Sequence, residues 1–333
     1  MDDPTLQEAG ELEALRRFLP LLPTGDATAV GPGDDAAVVR APDGRFVVTT
    51  DTMLEGADFR LAWSSWHDLG WKAVATNLID VAAMGAAPTS LVVALAVAPT
   101  TRVSALEAFA RGLADAIAAL APGCGVVGGD LGTAPHATIA VTAFGDLGGR
   151  GPVLRSGARA ADAVWCVGRL GLAATGLRAL FAVGDDAGAA PALARALREG
   201  AAGAAVAAQL APRTPVGAGV ALADLGATAM LDVSDGLALD AARIARASGV
   251  RIALESAAVA AASPGAALSA ALHGGEDHAL LLTLPASVEP PAELAGHPVH
   301  RLGVVEPAAD GQGSVTLDGA VLEPRGWDPY RAS

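Results

Sequence analysis

The chain has 333 residues, 52% of them hydrophobic and 17% charged, with a formal charge of −14. That length admits two domains with a core each, and the acidity excludes a nucleic-acid or anionic-membrane partner, since either needs a basic face. The acidic start MDDPTLQEAGELEAL has no apolar stretch suited to a secretory signal, and no apolar run approaches the roughly 20 residues of a membrane span, so the expected location is the cytoplasm.

Thr5-Leu6-Gln7-Glu8 fits a capping box, and Leu12, Leu15, Phe18 and Leu19 continue at helical spacing up to Pro20. The runs 36–40 and 45–50, separated by Pro42-Asp43-Gly44, predict a β-hairpin whose second strand ends in Thr49-Thr50-Asp51. Residues 67–84 read as a helix closed by Gly85. A strand (91–97), a helix (103–120) and a strand (138–144) follow. The Gly/Arg/Pro-rich segment DLGGRGPVLRSGARA sets a domain boundary near residue 150. Beyond it come a strand (163–168), a long Ala-rich helical stretch to about Leu210, a strand-turn-helix around Asp232-Val233-Ser234-Asp235-Gly236, a strand near 251–255, and a Gly-Gly-Glu-Asp turn before a strand at 279–284. The fold class is α+β in two α/β domains, 1–150 and 151–333, the first with a mixed sheet.

Asp34, Asp35, Asp51, Asp80, Asp130, Asp232 and Asp235 stand in short segments flanked by Gly, Thr, Ser or Asn, most of them ending apolar runs. Gathered carboxylates repel one another unless cations neutralise them, and hard oxygens suit Mg²⁺. Each segment also has a plainer reading. Gly31-Pro32-Gly33-Asp34-Asp35 is a common turn, Thr49 to Thr52 a polar strand end, Gly128-Gly129-Asp130 a strand-end turn, and Arg155 a solvated side chain. Asn77 and Asp80 sit three apart on an apolar helix and project from one side. Asp232 to Gly236 resembles the opening of a calcium loop but lacks its remaining ligands. It also fits a helix N-terminus suited to phosphate. Glu276 with the late Trp327 offers an acid and an aromatic face for a cationic heterocycle, although Trp327 alone fits a packing anchor.

Absences matter too. There is no GxxxxGK[ST] and Lys72 is the only lysine, so neither a Walker loop nor a protein-kinase set is present. Cys124 and Cys166 lie in apolar runs and read as buried free thiols. The six histidines lack zinc spacing.

GPGDDAAVV, TTDTMLEGADF, WKAVATNLIDVAAMGA, VVGGD, LRSGA, LDVSDGLALD and GGEDHALLLT, in that order and with an RGWDPY tail, resemble the thiamine-monophosphate kinase family of the aminoimidazole-ribonucleotide-synthetase-like superfamily. The likeness runs over nearly the whole chain. It implies a homodimer joined through N-terminal strands, an ATP cleft between the domains, and γ-phosphoryl transfer from ATP to thiamine monophosphate with several Mg²⁺ ions. Carried over by motif, Asp35, Thr49, Thr50, Asp51, Asp80, Asp130, Asp232 and Asp235 would ligate magnesium. Gly129, Asp130, Arg155 and Ser234 would touch nucleotide, and Glu276 and Trp327 would hold the thiamine moiety. Asp51, Asp80, Asp130 and Arg155 would be the catalytic set. Two positions depart from the family: Asp58, a substrate position, stands in EGADF where a His is usual, and Leu131 follows GGD where a hydroxyl residue is common. Selenophosphate synthetase would need a reactive Cys or selenocysteine near the N-terminus, whereas the first cysteine here is Cys124. Aminoimidazole-ribonucleotide synthetase and a non-catalytic nucleotide or metal sensor remain as alternatives.

Overall fold

The computed structural model describes residues 3–31, 37–184, 189–308 and 311–327. Two compact units emerge: Met1–Val81, Ala87–Gly149 and Val183–Arg195 form one, and Ala82–Ala86, Arg150–Ala182 and Ala196–Ser333 the other.

In the first unit Thr5 caps α1 (Leu6–Ala9): the Glu8 N–H donates to Thr5 Oγ1 while the Thr5 N–H donates to Glu8 Oε2. Gly10, at φ 78°, separates it from α2 (Glu11–Phe18), so the single predicted helix is two. The chain continues through β1 (Thr28–Val30), β2 (Val38–Val39), β3 (Val47–Leu54), α3 (Trp66–Ala83), β4 (Ala87–Val97), α4 (Val103–Leu120), β5 (Gly125–Thr133) and β6 (Thr138–Asp146). The predicted hairpin is not formed. The turn at Pro42-Asp43-Gly44 exists, with the Arg45 N–H on Asp43 Oδ1, but β2 pairs with β1 while β3 pairs with β6 over eight residues. A distant strand offers β3 a longer ladder than its neighbour in sequence.

The four-stranded sheet runs β3-β6-β4-β5. Thr49, Asp51 and Met53 share a face with Ile139, Val141, Ala143, Leu91, Val93 and Leu95, whose side chains are buried, so this is the face under the helices. Helices α3 and α4 approach closely where side chains are missing: a Cβ on Gly70 would lie 2.1 Å from Phe109 O, and one on Gly112 would lie 2.1 Å from His67 O. The opposite face carries Val48, Thr50, Thr52 and Leu54 and is exposed.

The second unit is built from β7 (Ala163–Val167), α5 (Leu172–Val183), the end of α6 (Ala190–Glu199), whose residues up to Arg195 fall in the first unit, α7 (Gly203–Leu210), α8 (Ala218–Asp224), β8 (Ala229–Val233), α9 (Leu237–Ser248), β9 (Val250–Leu254), α10 (Ser256–Ala261), α11 (Leu268–His273), β10 (Ala279–Leu284), β11 (Glu293–Leu294), β12 (His297–Pro307), β13 (Ser314–Leu317) and β14 (Ala320–Val321). The Ala-rich stretch is therefore three helices, with Gly184 and Gly200 in its breaks. The sheet order is β14-β13-β9-β12-β7-β10-β8, with β11 beside β12. Leu231, Val233, Leu281, Ile252 and Val305 meet Leu237, Ala241 and Ile244 of α9 in one apolar core.

Candidate functional site

In the first unit, Thr49 leaves β3 toward α3 and its Oγ1 donates to Asp80 Oδ2 at 3.0 Å. Asp51, two residues on, lies on the same sheet face as Thr49 and is exposed. Asn77 does not share the outward aspect of Asp80. It is 1% exposed and its Nδ2 donates back to Ala73 O at 2.9 Å. Thr50 points to the other face, where its Oγ1 donates to Val141 O.

Asp130 sits within β5 rather than at a strand-end turn, opposite Ala94 of β4. In register it shares the face of Ala94, Ala140 and Thr52, the face opposite Thr49 and Asp51. Its strand is three places from β3, about 14 Å at the usual strand spacing. Sequence proximity to the Val126-Val127 run misled here, because a parallel partner carries the ladder on through the glycines. Gly129 is required by that pairing: a Cβ there would meet Val93 O at 2.1 Å, whereas Gly128 has no atom within 4 Å of its ideal Cβ position. Val93, Leu95, Phe109 and Leu113 line an apolar recess of about 300 Å³ that reaches Gly128, Gly129 and Asp130. Asp58 closes a local turn, its Oδ2 accepting from the Leu54 N–H at 2.7 Å. Lys72 is 4% exposed, inside α3. Asp34 and Asp35 lie outside the described residues.

In the second unit, β8 delivers Asp232 and the turn to α9 delivers Ser234 and Asp235. Asp232 Oδ2 lies 3.3 Å from His278 Nδ1, both residues buried. Arg243, from the first turns of α9, donates to Asp235 Oδ2 and to Asp240 Oδ1, each at 2.5 Å. Asp240 is 0% exposed, and its other oxygen accepts the N–H groups of Asp235 and Gly236. The N–H groups that the sequence offers to a phosphate are thus partly taken by an internal carboxylate. Burial pushes Asp240 up to about 7 against the pull of Arg243.

The loop Gly274–His278 docks on this turn. The Glu276 N–H donates to Ser234 O at 2.7 Å, and the His278 N–H to Val233 O at 2.8 Å. Glu276 and His278 both have left-handed backbones, φ 69° and 47°, a strain of the kind that sites hold in place by surrounding contacts. Between them Asp277 anchors the loop, its carboxylate accepting from the N–H groups of Gly171 and Ala173 at the start of α5. Desolvation raises Asp277 to about 6 despite those bonds. Glu276 Oε2 accepts from Gln209 Nε2 of α7 at 2.9 Å. The Trp327 N–H donates to Asp235 O, and its Cβ lies 3.7 Å from the ideal Cβ position of Gly275. Glu276 and Trp327 are therefore both tied through their N–H groups to the Ser234–Asp235 turn. Arg155 is exposed, with its carbonyl held by Ser248 Oγ.

Gln209, Asp240, Arg243 and His278 escaped the sequence reading. Asp240 and Arg243 had a faint signal in their spacing after Ser234-Asp235-Gly236. Gln209 is the sole polar residue of GAAVAAQL. Burial pushes the Cys124 thiol up to about 12 and raises Cys166 further, so neither offers a thiolate at neutral pH.

Donor chemistry tests the fit to Mg²⁺. Thr49 and Asp80, with Asp51 on the same face, are hard oxygen donors, and among the described residues no group of three His, Cys, Asp or Glu closes around an ion. Such a partial set fits Mg²⁺, which is commonly held by one or two carboxylates plus substrate phosphates. Asp232 and Asp235 already share a carboxylate oxygen with His278 and Arg243.

Residues 33–147 match the model for the N-terminal domain of AIR synthase related proteins. The thiamine-monophosphate kinase of Mycobacterium tuberculosis is 41% identical over 292 residues, 84% of this chain and 82% of the relative. That of Corynebacterium glutamicum is 37% identical over 297 residues, covering 85% and 84%. A solved structure described as AaThiL complexed with AMPPCP and TMP is 30% identical, with a TM-score of 0.72 over 88% of this chain and 90% of that one. Among the described residues no helix is long and apolar enough to cross a membrane. At these identities over most of both sequences, the chain belongs to the thiamine-monophosphate kinase family.

Proposed function

We propose that the protein phosphorylates thiamine monophosphate to thiamine diphosphate with ATP, by direct in-line transfer. The relation to the family over 84% of the chain carries the reading. The tethering of both Glu276 and Trp327 to the Ser234–Asp235 turn supports it, since an acid and an aromatic face brought to one turn suit a cationic thiazolium with an aminopyrimidine.

The attacking group is a phosphate monoester with a second pKa of about 6, already anionic at neutral pH, so no side chain need remove a proton. One of its oxygens bonds to the γ-phosphorus as the bond to the β-γ bridging oxygen breaks, and ADP leaves with that electron pair. The barrier is repulsion between two polyanions, and the residues answer it by neutralising and aligning charge. Thr49, Asp51 and Asp80 would hold Mg²⁺ with the nucleotide phosphates, and Thr50 and Asp130, on the opposite face of the sheet, would with Asp35 offer oxygen donors to a separate ion. When bound, the ions supply the positive charge that the sole, buried lysine does not. Asp232 and Asp235 would serve as additional ligands, with Arg243 sharing the Asp235 carboxylate. Arg155 and Ser234 contact the nucleotide, and the apolar recess at Gly128, Gly129 and Asp130 receives its base. Glu276 and Trp327 hold the thiamine moiety. Asp58 acts through its turn.

The bare face of β3, with Val48 53% exposed and Leu54 45%, supports a homodimer formed through that sheet. Incubating the protein with ATP, Mg²⁺ and thiamine monophosphate should yield ADP and thiamine diphosphate in equal amounts. Binding of both ligands without product would favour a sensor instead.

A further inference from the structure

Gln209 is 5% exposed in the last turn of an otherwise apolar helix, and burying a primary amide without partners costs several kcal/mol. Its orientation is fixed by chemistry. Glu276 Oε2 can only accept, so the contact at 2.9 Å must come from Nε2, which turns Oε1 the other way. Among the described residues no donor reaches that Oε1. An amide held at one end with a buried acceptor left over at the other is expected to take a donor from a ligand.

The surroundings keep the amide in place. Helix α7 is pressed on α5, where a Cβ on Gly176 would lie 2.0 Å from Ala205 O. The loop that carries Glu276 is pinned to the same helix by Asp277. Gln209 and Glu276 are thereby fixed to one platform, and their contact needs no adjustment when a ligand arrives.

Resting on the proposed function, we infer that Gln209 is a specificity-determining residue that, with Glu276, reads the exocyclic amine of an aminopyrimidine substrate. The amine donates to Gln209 Oε1, while Nε2 keeps the Glu276 carboxylate oriented. An analogue with an oxo group in place of the amine presents an acceptor to that acceptor and is rejected.

Calorimetry separates this from turnover. Thiamine monophosphate and its 4-oxo analogue are titrated into wild-type protein and into Gln209→Met, which keeps the volume but removes both polar ends, in the presence of Mg²⁺ and a non-hydrolysable ATP analogue. Gln209→Asn, which retracts the amide, serves as the second variant, and melting curves verify that each folds. The wild type should favour the amine at least about tenfold, and both variants should lose that preference while nucleotide affinity stays within about twofold. A wild type indifferent to the amine, or variants that retain the full preference, overturns the assignment. Product formation is scored separately, so a protein that binds amine-selectively but makes no thiamine diphosphate fails the kinase reading and leaves the role of Gln209 standing.

Discussion

Replacing Asp277 with Asn tests the anchoring of the loop that presents Glu276. The carboxyl is raised from 3.8 to about 6, chiefly by burial, with the N–H groups of Gly171 and Ala173 pulling the other way. At roughly 1.36 kcal/mol per pKa unit, ionising it in the folded protein costs about 3 kcal/mol, a ceiling because the residue keeps part of its surface accessible. The folded state holds the proton more tightly than the unfolded state. The group's favourable contribution is therefore complete below the unfolded value of 3.8 and is lost as pH rises through about 6. Urea unfolding of wild type and Asp277→Asn at intervals between about pH 4 and about pH 7, with the two free energies subtracted, isolates this residue from the many other carboxylates. The stability of wild type relative to variant should fall by about 2–3 kcal/mol across that range. A difference that is flat, or that rises with pH, would show that the N–H bonds outweigh burial and refute the reasoning.

Asp51→Asn should lower turnover at least about a hundredfold while shifting stability by less than about 1 kcal/mol, because the residue is exposed on β3. Parallel assays and melts check this, and a pure stability loss would remove Asp51 from the chemistry. Gly129→Ala must push Val93 O away from a Cβ that would start at 2.1 Å and should cost about 2 kcal/mol or more, whereas Gly128→Ala meets nothing and should stay within about 1 kcal/mol of wild type. Arg243→Ala leaves Asp240 buried beside Asp235 without its cation and should cost about 3 kcal/mol, and adding Asp240→Asn should restore part of that by removing the stranded charge. Val48→Glu puts a charge on the bare face of β3 and should shift the protein toward monomer in sedimentation.

The sequence alone determined what depends on neighbours along the chain. The Thr5–Glu8 box, α4 over 103–120, the close of α3 before Gly85, and the strand-turn-helix at Asp232–Gly236 all follow from caps, periodicity and glycine at short range. Motif order likewise identified the family. Only the tertiary structure decided which strand β3 would choose, that Gly128 to Asp130 continue a strand, and that Asp130 takes the sheet face opposite Asp51. It also decided that Asp235 shares its carboxylate with Arg243 and that Gln209 reaches Glu276 across 67 positions. Pairing partners and buried polar contacts come from segments remote in sequence. Their choice turns on which long ladder and which closed set of hydrogen bonds leaves the fewest polar groups stranded, a comparison that no local window contains.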